Sequence, residues 1–81
     1  MERIITVQDE YIKDYRKKIG SQVKESRETK GYTQDDLAEM LNVNRSTISK
    51  IERGKFAFTI DFLAKLSWYL KFELDNIFTD K

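Results

Sequence analysis

Apolar residues recur every three or four positions along most of this chain, and the runs are separated by short polar punctuation. Ile12, Tyr15, Ile19 and Val23 fall on one helical stripe. With Asp9 as an N-cap and Gly31 as a stop, the spacing predicts a first helix from about Asp9 to Thr29. Thr33 with Asp36 three residues on is a capping-box pattern, with Asp in place of the usual Glu or Gln. It opens a second helix that carries Leu37, Ala38 and Leu41. Asn42 tolerates the left-handed conformation and ends that helix. Asn44 is placed to cap a third helix bearing Ile48 and Ile51, which Gly54 terminates. Thr59 caps a fourth, with Leu63, Leu66 and Leu70 turned inward, and Leu74, Ile77 and Phe78 predict a short fifth. Strand-like alternation is confined to Ile5-Thr6-Val7. The expected fold class is all-α, five helices with tight connections.

Composition narrows the function. A chain of 81 residues holds one domain and needs an efficient core, a staple or a partner. It contains no Cys, so a disulfide or thiolate metal site is impossible, and no His, which removes the commonest general base and metal ligand. Asp35 and Asp36 are adjacent and point about 100° apart on a helix, so they make no shared carboxylate site. They read as favourable charges in a first turn. No enzyme activity, cofactor or metal is expected. There is no Pro, and only 3 Gly, so nothing marks a second domain. The apolar runs are too short for a membrane span or secretory signal, and the expected location is the cytoplasm.

Net charge is +1, which by itself says nothing about nucleic acid. Its distribution says more. Residues 44–55 carry Arg45, Lys50, Arg53 and Lys55 against Glu52, and residues 11–30 carry seven bases against three acids. Residues 56–81 hold three bases and four acids. The basic character is local, as a phosphate-facing surface requires.

Set on a helix, residues 45–53 divide into two faces. Ile48 and Ile51 fall together, while Arg45, Ser46, Ser49, Lys50 and Arg53 occupy one sector opposite. Arg and Lys can donate to guanine edges, and Ser hydroxyls can donate or accept. Leu37, Ala38 and Leu41 offer a surface on which the two Ile can sit, and Asn42-Val43 is too short a connection for anything but a sharp turn between helices. An ordinary helical hairpin with a polar outer face has the same spacing.

The run from Thr33 to Lys55, Thr-Gln-Asp-Asp-Leu-Ala-Glu-Met-Leu-Asn-Val-Asn-Arg-Ser-Thr-Ile-Ser-Lys-Ile-Glu-Arg-Gly-Lys, resembles the helix-turn-helix of lambda-repressor-like (Cro-like, XRE-type) regulators. The resemblance extends from about Ile19 to Phe78, including Leu74-Asp-Asn-Ile-Phe78. It implies a five-helix lambda-repressor-like DNA-binding domain over residues 19–78, preceded by an extension, 1–18, and followed by a tail, 79–81. It further implies that a recognition helix at 44–53 enters the major groove of double-stranded DNA. Base contacts then fall to Arg45, Ser46 and Lys50, with Thr47 and Ser49 beside them. Phosphate contacts fall to Gln34, Asn44, Arg53 and Lys55, with Gln34 also bracing the reading helix. Glu52 matches a structural position that pairs with a nearby base rather than with DNA.

Four departures from the family pattern stand out. Asn42 and Lys71 occupy positions where Gly is usual, and Lys71 suggests an altered turn. Glu73 replaces a usual Ser or Thr cap. The 18-residue extension carries Ile4, Ile5, Val7, Tyr11, Ile12 and Tyr15, too much apolar surface to leave in water, and implies core extension or dimer contact. Phe62 and Trp68 stand at commonly polar positions, packed under the extension or forming a protein interface. The expected function is sequence-specific DNA binding as a small homodimeric regulator, a repressor on an inverted-repeat operator. The alternative is an antitoxin or interaction module whose main work is to hold another protein.

Overall fold

The computed structural model describes the backbone of residues 2–71 and the side chains of residues 8–71. Four helices occupy this span: α1 (Glu2–Thr29), α2 (Gln34–Leu41), α3 (Arg45–Glu52) and α4 (Ile60–Leu70). The fifth helix expected around Leu74, Ile77 and Phe78, with Glu73 before it, falls outside the described residues.

α1 corrects the reading of the N-terminus. The helix begins at Glu2, so Ile5-Thr6-Val7 is helical rather than strand, and Asp9 lies inside the helix instead of capping it. Three alternating residues are a weak strand signal without a second strand to pair with, and neither Pro nor Gly interrupts residues 2–19 to stop a helix. At its other end α1 stops where expected. Gly31 adopts a left-handed φ of 78°, and the Tyr32 amide donates to the Arg27 carbonyl at 3.0 Å.

The capping box that opens α2 is complete. The Asp36 amide donates to Thr33 Oγ1 at 3.0 Å, and the Thr33 amide donates to Asp36 Oδ2 at 2.9 Å. Asn42 closes α2 with φ 59° and ψ 48°, and the Val43 amide bonds back to the Ala38 carbonyl at 2.9 Å. That left-handed residue turns the chain sharply into α3. Asn44 holds extended N-cap dihedrals, but its side chain makes no capping hydrogen bond, contrary to the cap expected from its identity. Thr59 does cap α4, accepting from the Phe62 amide at 3.1 Å. Lys71 takes the left-handed conformation that Gly would ordinarily supply, with φ 59°, so the turn is kept rather than altered. Its Nζ sits 4.5 Å from the centre of the Trp68 ring, an attraction that offsets part of the strain.

The core is the one the apolar pattern outlines. Ile19 and Val23 of α1, Leu37, Ala38 and Leu41 of α2, Ile48 and Ile51 of α3, and Leu63, Leu66 and Leu70 of α4 are buried together. α1 and α3 approach closely at Gly20, where a Cβ would overlap the Ile51 carbonyl oxygen. Phe62 is half-buried against Phe56, ring centres 5.3 Å apart. Trp68 stays 64% exposed. Among the described residues no helix is long and apolar enough to cross a membrane.

Candidate nucleic-acid interface

α3 is held from beneath and from one end. Ile48 and Ile51 are fully buried against α1 and α2. At the C-terminal end Glu52 turns inward, its side chain only 5% exposed. Arg27 of α1 meets it with two donors, Nε to Oε2 at 2.6 Å and Nη2 to Oε1 at 3.2 Å. Arg27 Nη1 also donates to the Tyr32 carbonyl at 2.8 Å, just ahead of α2. Gln34 Nε2 completes the cluster, donating to Glu52 Oε1 at 3.0 Å. One buried ion pair thus ties the end of α1, the start of α2 and the end of α3. The hydrogen bond to Glu52 raises the Arg27 pKa above its ordinary value, against the opposing effect of burial. A side chain paired in this way is charged under all ordinary conditions.

This cluster changes the charge of the outer face. Glu52 is the only acid in residues 44–55, and it is removed to the interior and neutralised by a base from α1. Arg45, Lys50, Arg53 and Lys55 remain, all exposed. Ser46 and Asn44 are exposed among them, while Thr47 and Ser49 are half-buried at the shoulders of the helix. Gln34 is half-buried and committed through one N–H to Glu52. Arg53 bends back along α3, its Nε 3.3 Å from the Ser49 carbonyl. At the helix start, Arg45 Nε lies 3.8 Å from Asp35 Oδ1 of α2. All nine candidate contact residues therefore lie on or beside α3, with Gln34 at the adjoining end of α2.

A helix packed by its apolar side, crossing a short preceding helix at a left-handed turn and presenting bases and small polar side chains outward, has a counterpart among known families. The model of the family described as Helix-turn-helix matches residues 23–77. The chain belongs to the XRE-type helix-turn-helix family. The chain is 39% identical over 62 residues to the HTH-type transcriptional regulator ImmR of Bacillus subtilis (strain 168), a match covering 76% of this chain and 45% of ImmR. The chain thus spans less than half the length of that relative. Among solved structures it resembles the crystal structure of the clp gene regulator ClgR from Corynebacterium glutamicum, with a TM-score of 0.71 and 26% identity, covering 80% of this chain and 69% of that one.

Within this helix-turn-helix, α2 is the first helix of the motif and α3 the second. Three residues that matter to its geometry escaped the sequence reading. Arg27 was counted only as one base in a basic segment, although its spacing from the acid in the motif predicts nothing by itself. Gly20 carried a signal, a glycine inside an otherwise helical stretch. Asp35 was read as a first-turn charge, and its approach to Arg45 depends on the angle between two helices.

Proposed function

We propose that this chain is a small transcriptional regulator that binds double-stranded DNA with α3 lying in the major groove. The observation that carries the reading is the outward face of residues 44–55, where Arg45 and Lys50 of α3 and Arg53 and Lys55 just beyond it are exposed while Glu52, the acid of that segment, is folded inside. Family membership and the regulator names of the two relatives support the same reading. Arg45, Ser46 and Lys50 point outward from the first two turns and are the base readers, joined from the shoulders by Thr47 and Ser49. Asn44, Arg53 and Lys55 hold phosphates. Gln34 braces α3 through Glu52 and keeps its second N–H for a phosphate.

One recognition helix reads too few base pairs to find a genomic site, so two copies on an inverted repeat complete the reader. Occupying an operator in this way would repress by exclusion. Phe56 and Phe58 are half-buried, packed edge to face with ring centres 5.1 Å apart, and rest against the core. Among the described residues, Tyr11 and Ile12 on α1, and Ile60 and Trp68 on α4, are the large exposed apolar ones. The same residues suit the alternative of a protein-holding module. Selection of bound duplexes from a random pool decides between the two. A regulator enriches a two-fold symmetric sequence, and Arg45→Ala lowers affinity for it by about 1–3 kcal/mol and relaxes one position per half-site. Absence of any enriched sequence removes the DNA reading.

A further inference from the structure

Asp35 is the second residue of α2 and Arg45 the first of α3. The left-handed turn at Asn42 brings them together across the motif, Arg45 Nε to Asp35 Oδ1 at 3.8 Å. Their side chains are 67% and 75% exposed, and an ion pair in water at this distance adds little to stability. Its geometry bears on recognition instead. The carboxylate addresses the Nε side of the guanidinium. Among the described residues no acceptor engages the two Nη groups, which together can donate to guanine O6 and N7.

We infer that Asp35 is a specificity-determining positioning residue, whose carboxylate steers Arg45 so that the free end of the guanidinium reads one guanine. The inference rests on the DNA-binding reading above. A long Arg side chain loses rotamer freedom when it docks on a base, and a partner that already restrains it lowers that loss. Once the groove excludes water, the pair is also less screened than in the free protein. The same carboxylate stands near the phosphates and repels them. Asp35 therefore weakens binding to DNA of any sequence while sharpening the choice of base at one position. A purely structural acid in the first turn of α2 would do neither.

The test compares wild type, Asp35→Ala, Asp35→Asn and Arg45→Ala by selection from random duplexes, followed by titration on the selected site and on an unrelated duplex at one salt concentration. Arg45→Ala should lose about tenfold in preference for guanine at one position per half-site, the size of a single bidentate contact. Both Asp35 variants should lose about three- to tenfold at that same position and bind the unrelated duplex roughly twofold more tightly. Asp35→Ala should add nothing to base preference when Arg45 is already Ala. Retention of the wild-type guanine preference in both Asp35 variants overturns the inference and leaves DNA binding standing. So does a change at a base pair that Arg45→Ala leaves alone, which would make Asp35 a contact in its own right. If wild type enriches no sequence, the DNA-binding reading itself falls and takes the inference with it.

Discussion

Glu52 is an acid on a helix whose exposed charges are otherwise all basic, and its burial decides what DNA would meet there. Its carboxylate accepts three hydrogen bonds, two from Arg27 and one from Gln34. Such a pair need not add net stability, because desolvating both ions is costly, but removing one partner strands the other. Glu52→Ala should therefore destabilise the fold by about 3–5 kcal/mol, read as a loss in urea or thermal melting. Replacing both, Arg27→Met with Glu52→Leu, should recover most of that loss, since neither charge is then left unpaired. A double variant as unstable as the single one would show that the cluster's value lies in its shape and not in its pairing. Asn44 marks the limit of residue-level rules. It stands at an N-cap with suitable dihedrals, yet its side chain is not used as a cap.

At the scale of elements, the crossing of α1 over α3 sets the recognition helix in place. Gly20 allows it, because the obstacle to a side chain is the backbone carbonyl of Ile51, which cannot swing aside as a flexible side chain would. Gly20→Ala should thus force the helices apart and cost about 1–2 kcal/mol net, even though Ala favours a helix by up to about 1 kcal/mol over Gly. A fall in melting temperature of several degrees is the expected result. A melting temperature equal to or above wild type would mean the helices part without penalty. The turns around these helices were readable in advance wherever local chemistry acts alone. The Thr33–Asp36 box, the Thr59 cap, Gly31 and Asn42 all behave as their side chains dictate. Lys71 shows the opposite case, a residue poor at left-handed φ held there by the end of α4 and by its own contact with Trp68.

For the whole molecule, a 28-residue α1 is about 42 Å long, close to the 43 Å long axis of the protein. Among the described residues its buried positions lie in the second half, at Ile19, Val23 and Arg27, with Tyr15 resting against the core just before them. Tyr11 and Ile12 on the first half, with Trp68 and Ile60 on α4, are the large apolar side chains left exposed among the described residues. On the proposed function these side chains serve contact between copies. Sedimentation with a duplex holding an inverted repeat should find two chains bound, and with a single half-site one. Replacing Tyr11 and Trp68 together by Ala should weaken the two-chain complex and leave half-site affinity unchanged. One chain on the full repeat at every concentration would contradict the dimer.

Periodicity was enough to assign α2, α3 and α4 and the ten core residues buried among the described residues, because burying an apolar stripe is a local pattern repeated at 3.6 residues per turn. The caps at Thr33 and Thr59 and the left-handed turns at Gly31 and Asn42 were legible for the same reason, since each depends on two to five neighbouring residues. The outward face of α3 was also legible, as the complement of Ile48 and Ile51. Where α1 begins was not, since the extension's apolar residues fit either a short strand or a longer helix until the chain's other contacts are known. Nor was the partner of Glu52. Arg27 lies 25 residues away, and several other bases in the same segment were equally eligible. The approach of Asp35 to Arg45 and the need for glycine at position 20 belong to the same class. Each depends on the angle and distance between two helices, which are set by how the whole core closes and not by any local run of residues.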